Sequence, residues 1–158
     1  MGIIVNLKPI PADRVEILSR DPDALREMIQ PDTGTSLDKM WHAVHYLLTG
    51  MPLEAEPPLG LAVVGGDHFG PDLDGREIRL VRPAQVREVD AALSRVTEAE
   101  VAGYFDPQAM DDDKIYPENF WVRNAHVGLN HILPCYRALV SLYSDAARRG
   151  DAILQWVD

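Results

Sequence analysis

Cys135 is the only cysteine in the chain. An internal disulfide is therefore excluded, and so is a zinc cage built on thiolates. Its apolar neighbours Ile132, Leu133, Tyr136 and Leu139 predict a core thiol rather than a nucleophile. Lysine is nearly as scarce: three of the 15 basic residues are lysine and twelve are arginine. Against them stand 25 acids, for a net charge of −10. Such a surface repels phosphate backbones, and no segment gathers basic residues into a stripe, so nucleic acid is not an expected partner. No apolar run approaches the roughly 18 residues that cross a membrane. The longest, Leu59 to Val64, has the length of a buried strand.

Catalytic signatures are missing too. There is no Gly-x-Ser-x-Gly elbow, no His-Glu-x-x-His pair, and no phosphate-binding or dinucleotide-binding glycine spacing. Serines and threonines fall mostly at helix caps, which leaves a Ser/His/Asp hydrolase without its nucleophile. Asp111-Asp112-Asp113 lacks the glycine and distal glutamate of a calcium loop and reads as a solvated segment. No cofactor and no metal are expected.

What the chain has is ordinary globular material. Its 158 residues, 46% hydrophobic and 25% charged, suit one domain with one sizeable core over residues 1–158. The acids are spread evenly, 13 of them in residues 1–79 and 12 in residues 80–158, so there is no acidic tail. Residues 2–7 read as a first strand, closed by Pro9 and Pro11, and not as a signal peptide. Ala12 to Ser19 reads as a short helix. Asp21-Pro22 opens a second, with Leu25, Met28 and Ile29 on its apolar face and Pro31 as its stop.

The strongest single element is Ser36 to Gly50. Thr35 and Asp38 are spaced as a capping box. Leu37, Met40, Trp41, Val44, Leu47 and Leu48 recur at helical spacing, and Gly50 with Pro52 closes the helix. Leu61 to Val64 and Arg76 to Val81 predict strands. Pro83 opens a helix carrying Val86, Val89, Ala92 and Leu93. Thr97 and Glu100 cap another that ends near Tyr104. Phe105 to Glu118 reads as irregular. A long helical pattern from Leu129 to Ala147 ends at Arg148-Arg149-Gly150, with Pro134 predicting a kink or a start just before it. Ala152 to Val157 is a closing strand. Uneven alternation of strands and helices predicts an α+β fold: a mixed or antiparallel sheet of about four strands against several helices.

Leu37-Asp38-Lys39-x-Trp41-His42-x-x-His45-Tyr46-Leu47-Leu48-Thr49-Gly50 resembles the signature helix of the YfbM-like bacterial family. Gly65-Gly66, Arg82-Pro83-x-x-Val86, Phe105-Asp106-Pro107-x-x-Met110 and Ile115-Tyr116-Pro117 follow in that family's order. The resemblance covers nearly the whole chain. It departs at Asp72-Leu73-Asp74-Gly75-Arg76, where the family's turn is richer in glycine and aromatics. It implies a small, mixed α/β bacterial protein from a family of unknown function, and it brings no activity with it. A cytoplasmic location is expected.

Candidate pocket residues are Trp41, His42, His45, Asp67, His68, Asp106, Tyr116 and Trp121. His42 and His45 are three apart and share one helical face, as a base with its orienting partner would. Asp67-His68 follows a glycine turn, a frequent address for functional groups. Asp106 precedes a proline, as a turn or N-cap residue does. Tyr116 and Trp121 suit a pocket wall or an interface. The leading expectation is a binding protein that regulates or neutralises a protein partner. The alternative is an enzyme or small-ligand binder using a His/Asp/Tyr pocket. Geometry discriminates them: the alternative requires these side chains to converge.

Overall fold

A computed structural model describes residues 2–30 and 33–158. Five strands form one antiparallel sheet in the order β2-β1-β5-β4-β3. They are β1 Val5–Ile10, β2 Thr35–Ser36, β3 Asp67–His68, β4 Ile78–Val81 and β5 Ala152–Val157. Among the described residues seven helices surround it: α1 Val15–Leu18, α2 Pro22–Met28, α3 Trp41–Thr49, α4 Pro83–Leu93, α5 Glu98–Gly103, α6 Pro107–Asp112 and α7 Gly128–Arg149. The fold is α+β, with one strand more than the sequence predicts.

The last strand is the central one. β5 pairs with β1 from Ala152↔Ile10 to Val157↔Val5, and with β4 from Ile153↔Val81 to Trp156↔Ile78. Both of its faces are covered, because strand side chains alternate. Ala152, Leu154 and Trp156 join Ile10, Leu18, Leu25, Ile29, Ile78 and Leu80 in the smaller core, beneath α1 and α2. Ile153 points the other way, into the larger core of Val5, Leu7, Val44, Val86, Tyr136 and Leu139 beneath α3, α4 and α7.

Several local expectations are corrected. β1 runs through Pro9, where the sequence predicts an end. Proline is tolerated there because β2 pairs only with Asn6 and Leu7, which leaves that flank of β1 as an edge beside Pro9. The helix read over 36–50 is shorter. Thr35 and Ser36 pair with β1, Asp38–Met40 is a 3₁₀ turn, and α3 begins at Trp41. The Thr35/Asp38 capping box does not form; Asp38 sits at φ 49 and donates its N–H to Ser36 Oγ at 3.0 Å. The end is as read, with Gly50 at φ 73 donating its N–H to Tyr46 O.

Leu61 to Val64 is not a strand. Leu59–Leu61 is a 3₁₀ turn that continues into further turns. Side chains satisfy its backbone instead of a ladder: Gln155 Nε2 donates to Leu61 O at 2.6 Å, and Tyr143 Oη donates to Ala62 O at 2.8 Å. The strand read over 76–81 spans only 78–81. Within the segment read as irregular, α6 is a helix with Asp106 as its N-cap, accepting from Ala109 N–H at 3.1 Å. α7 runs 22 residues through Pro134 and begins well before it. Pro134 and Asn130 are both exposed, so the helix carries its proline on the solvent side. The Pro31 stop lies outside the described residues.

Candidate functional site

The two histidines of α3 face one loop. Gly50 turns the chain back, and Thr49 Oγ1 accepts the Met51 N–H at 3.1 Å, so residues 51–56 run beside the helix they have just left. His42 Nε2 lies 2.5 Å from Pro52 O, and His45 Nε2 lies 2.6 Å from Leu53 O. Carbonyl oxygens only accept, so both Nε2 atoms carry the proton. Two imidazoles at i and i+3 thus clamp two consecutive carbonyls.

Their other nitrogens differ. His42 Nδ1 accepts the Tyr116 N–H at 2.9 Å, which fixes the same tautomer independently. Its ring stacks on Trp41 with centroids 4.8 Å apart, and Trp41 stacks on Tyr116 at 6.1 Å. Trp41 Nε1–H donates to Ile3 O, and Tyr116 Oη accepts the Ile3 N–H. Every polar atom of this aromatic corner is engaged by neighbouring backbone. His45 Nδ1, in contrast, is a buried acceptor with no partner among the described residues. Burial pushes both imidazoles below the usual histidine range, against the hydrogen bonds to Pro52 and Leu53, which act to raise them.

His45 also lines an open cleft of about 780 Å³, together with Met51, Leu53, Glu54, Ala55, Glu56, Gly60, Val64, Gly65 and Arg79. Two of its glycines pack tightly on neighbouring backbone. A Cβ at Gly60 would collide with Ala55 O, and one at Gly65 would collide with Gly60 O. The far wall is tied to the sheet: Gln155, fully buried on β5, accepts the Gly66 N–H through Oε1 at 2.9 Å. Arg79 donates to Gly66 O at 2.9 Å and pairs with Glu77 at 2.5 Å, so its charge is matched. Among the described residues no ion pair engages Glu54 or Glu56.

Of the eight candidates from sequence, the structure brings together Trp41, His42 and Tyr116, with His45 one turn along. The others lie apart. Asp67 and His68 form the exposed edge strand β3, where His68 Nε2 sits 3.2 Å from Glu77 Oε1. Asp106 caps α6. Trp121 is fully buried between Phe105 and Phe120, with Nε1–H donating to Ile115 O. The aspartate run is corrected as well. Asp111 accepts the N–H groups of Trp121 and Val122, and Asp113 accepts the Tyr46 hydroxyl at 2.6 Å, which pushes that phenol up to about 12. Among the described residues no three His, Cys, Asp or Glu side chains converge as metal ligands would. Cys135 is half-buried against the larger core, and burial pushes its thiol up.

Sequence reasoning missed the cleft residues Met51, Leu53, Glu54, Glu56 and Arg79. Residues 53–58 carry a legible signal, two glutamates among prolines after a capped helix, but nothing local shows that the loop folds back.

A small antiparallel α+β domain with a clamped loop beside an open cleft is the class of protein these features define. The chain matches the family described as "Domain of unknown function (DUF1877)" over residues 1–156, and it belongs to that family. Among solved structures it is similar to a protein of unknown function, YfbM, from Escherichia coli. The two are 20% identical with a TM-score of 0.73, over 98% of this chain and 99% of that one, a likeness of fold. Among curated proteins nothing matches. No helix among the described residues is long and apolar enough to cross a membrane.

Proposed function

We propose that the chain is a binding protein that engages a basic protein partner. The observation that carries this reading is the cleft beside His45. It is open, its walls are anchored on both sides, and it presents two carboxylates that no ion pair engages among the described residues, next to exposed Met51 and Leu53. The net charge of −10 steers cationic partners toward it and repels anionic ones. The residues that an acid–base or metal site would need are spent on structural bonds: His42 on two backbone groups, Asp106 on a helix cap, Trp121 on the core.

Cross-linking in cells of the source organism, followed by identification of the captured protein, tests this. The expected partner carries a net positive charge and is released from the purified complex by salt. Capture of partners no more basic than the average protein, held equally well at high salt, overturns the reading.

A further inference from the structure

Residues 116–119 border the aromatic corner with little to hold them. Among the described residues, this turn makes one backbone hydrogen bond to the rest of the protein, from the Tyr116 N–H to His42 Nδ1 at 2.9 Å. Lys114 and Asn119 bracket it at φ 55 and φ 59, in the left-handed region. Asparagine tolerates that region; a lysine there is strained unless its surroundings hold it. The flanks, by contrast, are pinned. Ile115 and Trp121 are both fully buried, and Trp121 Nε1–H donates to Ile115 O at 2.9 Å.

We propose that residues 116–119 are a strap latched by a proton-sensitive bond: protonation of His42 releases the strap from α3 while the rest of the fold stays assembled. This device is independent of the binding reading above.

Nδ1 accepts the Tyr116 N–H only while it carries no proton. Once protonated it points a donor at a donor, and the two repel. The strap then gives way rather than the ring. His42 is held on its other side by Pro52 O at 2.5 Å, a bond that a charged donor strengthens, and on its face by Trp41 at 4.8 Å. The strap has no comparable anchor. Tyr116 Oη accepts the Ile3 N–H, but at the surface, where water can replace either partner.

The other titratable neighbours act on other bonds. His45, one turn along α3, donates to Leu53 O. Asp111 holds the Trp121 and Val122 N–H groups, and Asp113 holds the Tyr46 hydroxyl. Among the described residues Lys39, Glu54, Lys114 and Glu118 make no side-chain bond to the strap's backbone. Burial sets the working range. It holds the His42 imidazole below the usual value of 6.5, so the latch is closed at neutral pH and opens as pH falls through the folded value.

The test is nuclear magnetic resonance on the whole ¹⁵N-labelled chain, titrated from about pH 7.5 to about pH 4.5. Both ring nitrogens of His42 are expected to become donors, with a midpoint below 6.5. The Tyr116, Glu118 and Asn119 amides should shift along the same curve. Hydrogen exchange at Tyr116, corrected for the intrinsic effect of pH, should speed up by at least about tenfold. Amides of β5 should keep their protection throughout. His42→Gln offers a neutral amide to both partners, so its strap amides should stay flat, whereas His45→Gln should keep the strap's transition.

A His42 ring that protonates while Tyr116 stays protected overturns the latch, and so does a ring still neutral at the end of the range. Loss of protection in β5 together with the strap overturns it in favour of global unfolding. The same strap transition in His42→Gln overturns it in favour of the carboxylates, and loss of the transition in His45→Gln overturns the assignment to His42. The ring and Tyr116 signals of the parent decide the matter by themselves where His42→Gln does not fold.

Discussion

His42 and His45 stand one turn apart on the same helix and make the same bond, an Nε2–H to a carbonyl of the same loop. Their surroundings diverge from there. Around His42 both ring nitrogens are engaged, Nε2–H by Pro52 O and Nδ1 by the Tyr116 N–H, with Trp41 on the ring face and Ile3 bonded to the Trp41 and Tyr116 side chains. Around His45 the ring lines a cleft, and its Nδ1 is buried with no partner among the described residues. A polar group whose capacity is used up internally fixes a structure. One whose capacity is left over in the interior costs stability instead. The two corners separate these roles within a single turn of helix.

The comparison breaks most severely if the cleft loses its wall. Gln155→Leu strands the Gly66 N–H and Leu61 O inside the protein, and urea unfolding should report a loss of about 3 to 4 kcal/mol. His42→Ala tests the closed corner. It orphans Tyr116 N–H and removes a stacked ring, so unfolding should show a loss of about 2 to 3 kcal/mol. Gly60→Ala drives a methyl into the Ala55 carbonyl and should cost about 1 to 3 kcal/mol. At the open corner, His45→Gln should cost under about 1 kcal/mol of stability, because the bond to Leu53 O has a substitute donor. A stability loss at His45 equal to that at His42 would erase the distinction between the corners.

The smallest effect is a pH dependence. Both folded imidazoles titrate below the unfolded histidine value of 6.5. Between those values the unfolded chain binds more protons, so the clamp's contribution is fully present above 6.5 and declines as pH falls from there toward the folded values. Protonation also turns His42 Nδ1 into a donor facing the Tyr116 N–H. Unfolding measured on either side of 6.5 should show this slope in the parent and a shallower one in His42→Gln. Equal slopes would remove the histidines from the account.

Local signals in the chain announce its helix ends well. Asp21-Pro22, Thr97 with Glu100, Gly50 and Gly150 all act as their residue types predict. The same Asp-Pro signal stands at Asp106-Pro107, where α6 went unread because the aspartates after it resemble a loop. Long-range partners are what the sequence hides. Leu61 to Val64 has the composition of a strand, but Gln155 and Tyr143 supply its hydrogen bonds from far along the chain. For the same reason Trp41, His42 and Tyr116 are legible as a group only once folded. His45 is readable as a candidate, while its cleft depends on a return loop that no spacing encodes.

The position of β5 has a consequence for how the molecule comes to exist. A ribosome delivers β1 with β2 early and β3 with β4 midway, each as a two-stranded ribbon too small to persist by itself. The strand that joins them emerges after all of them, and with it comes Gln155, the bolt for the 59–66 turns. Nascent chains must therefore carry both ribbons unassembled until their closing segment clears the exit tunnel, and a ribosome stalled upstream of Ala152 should release a product that proteases degrade.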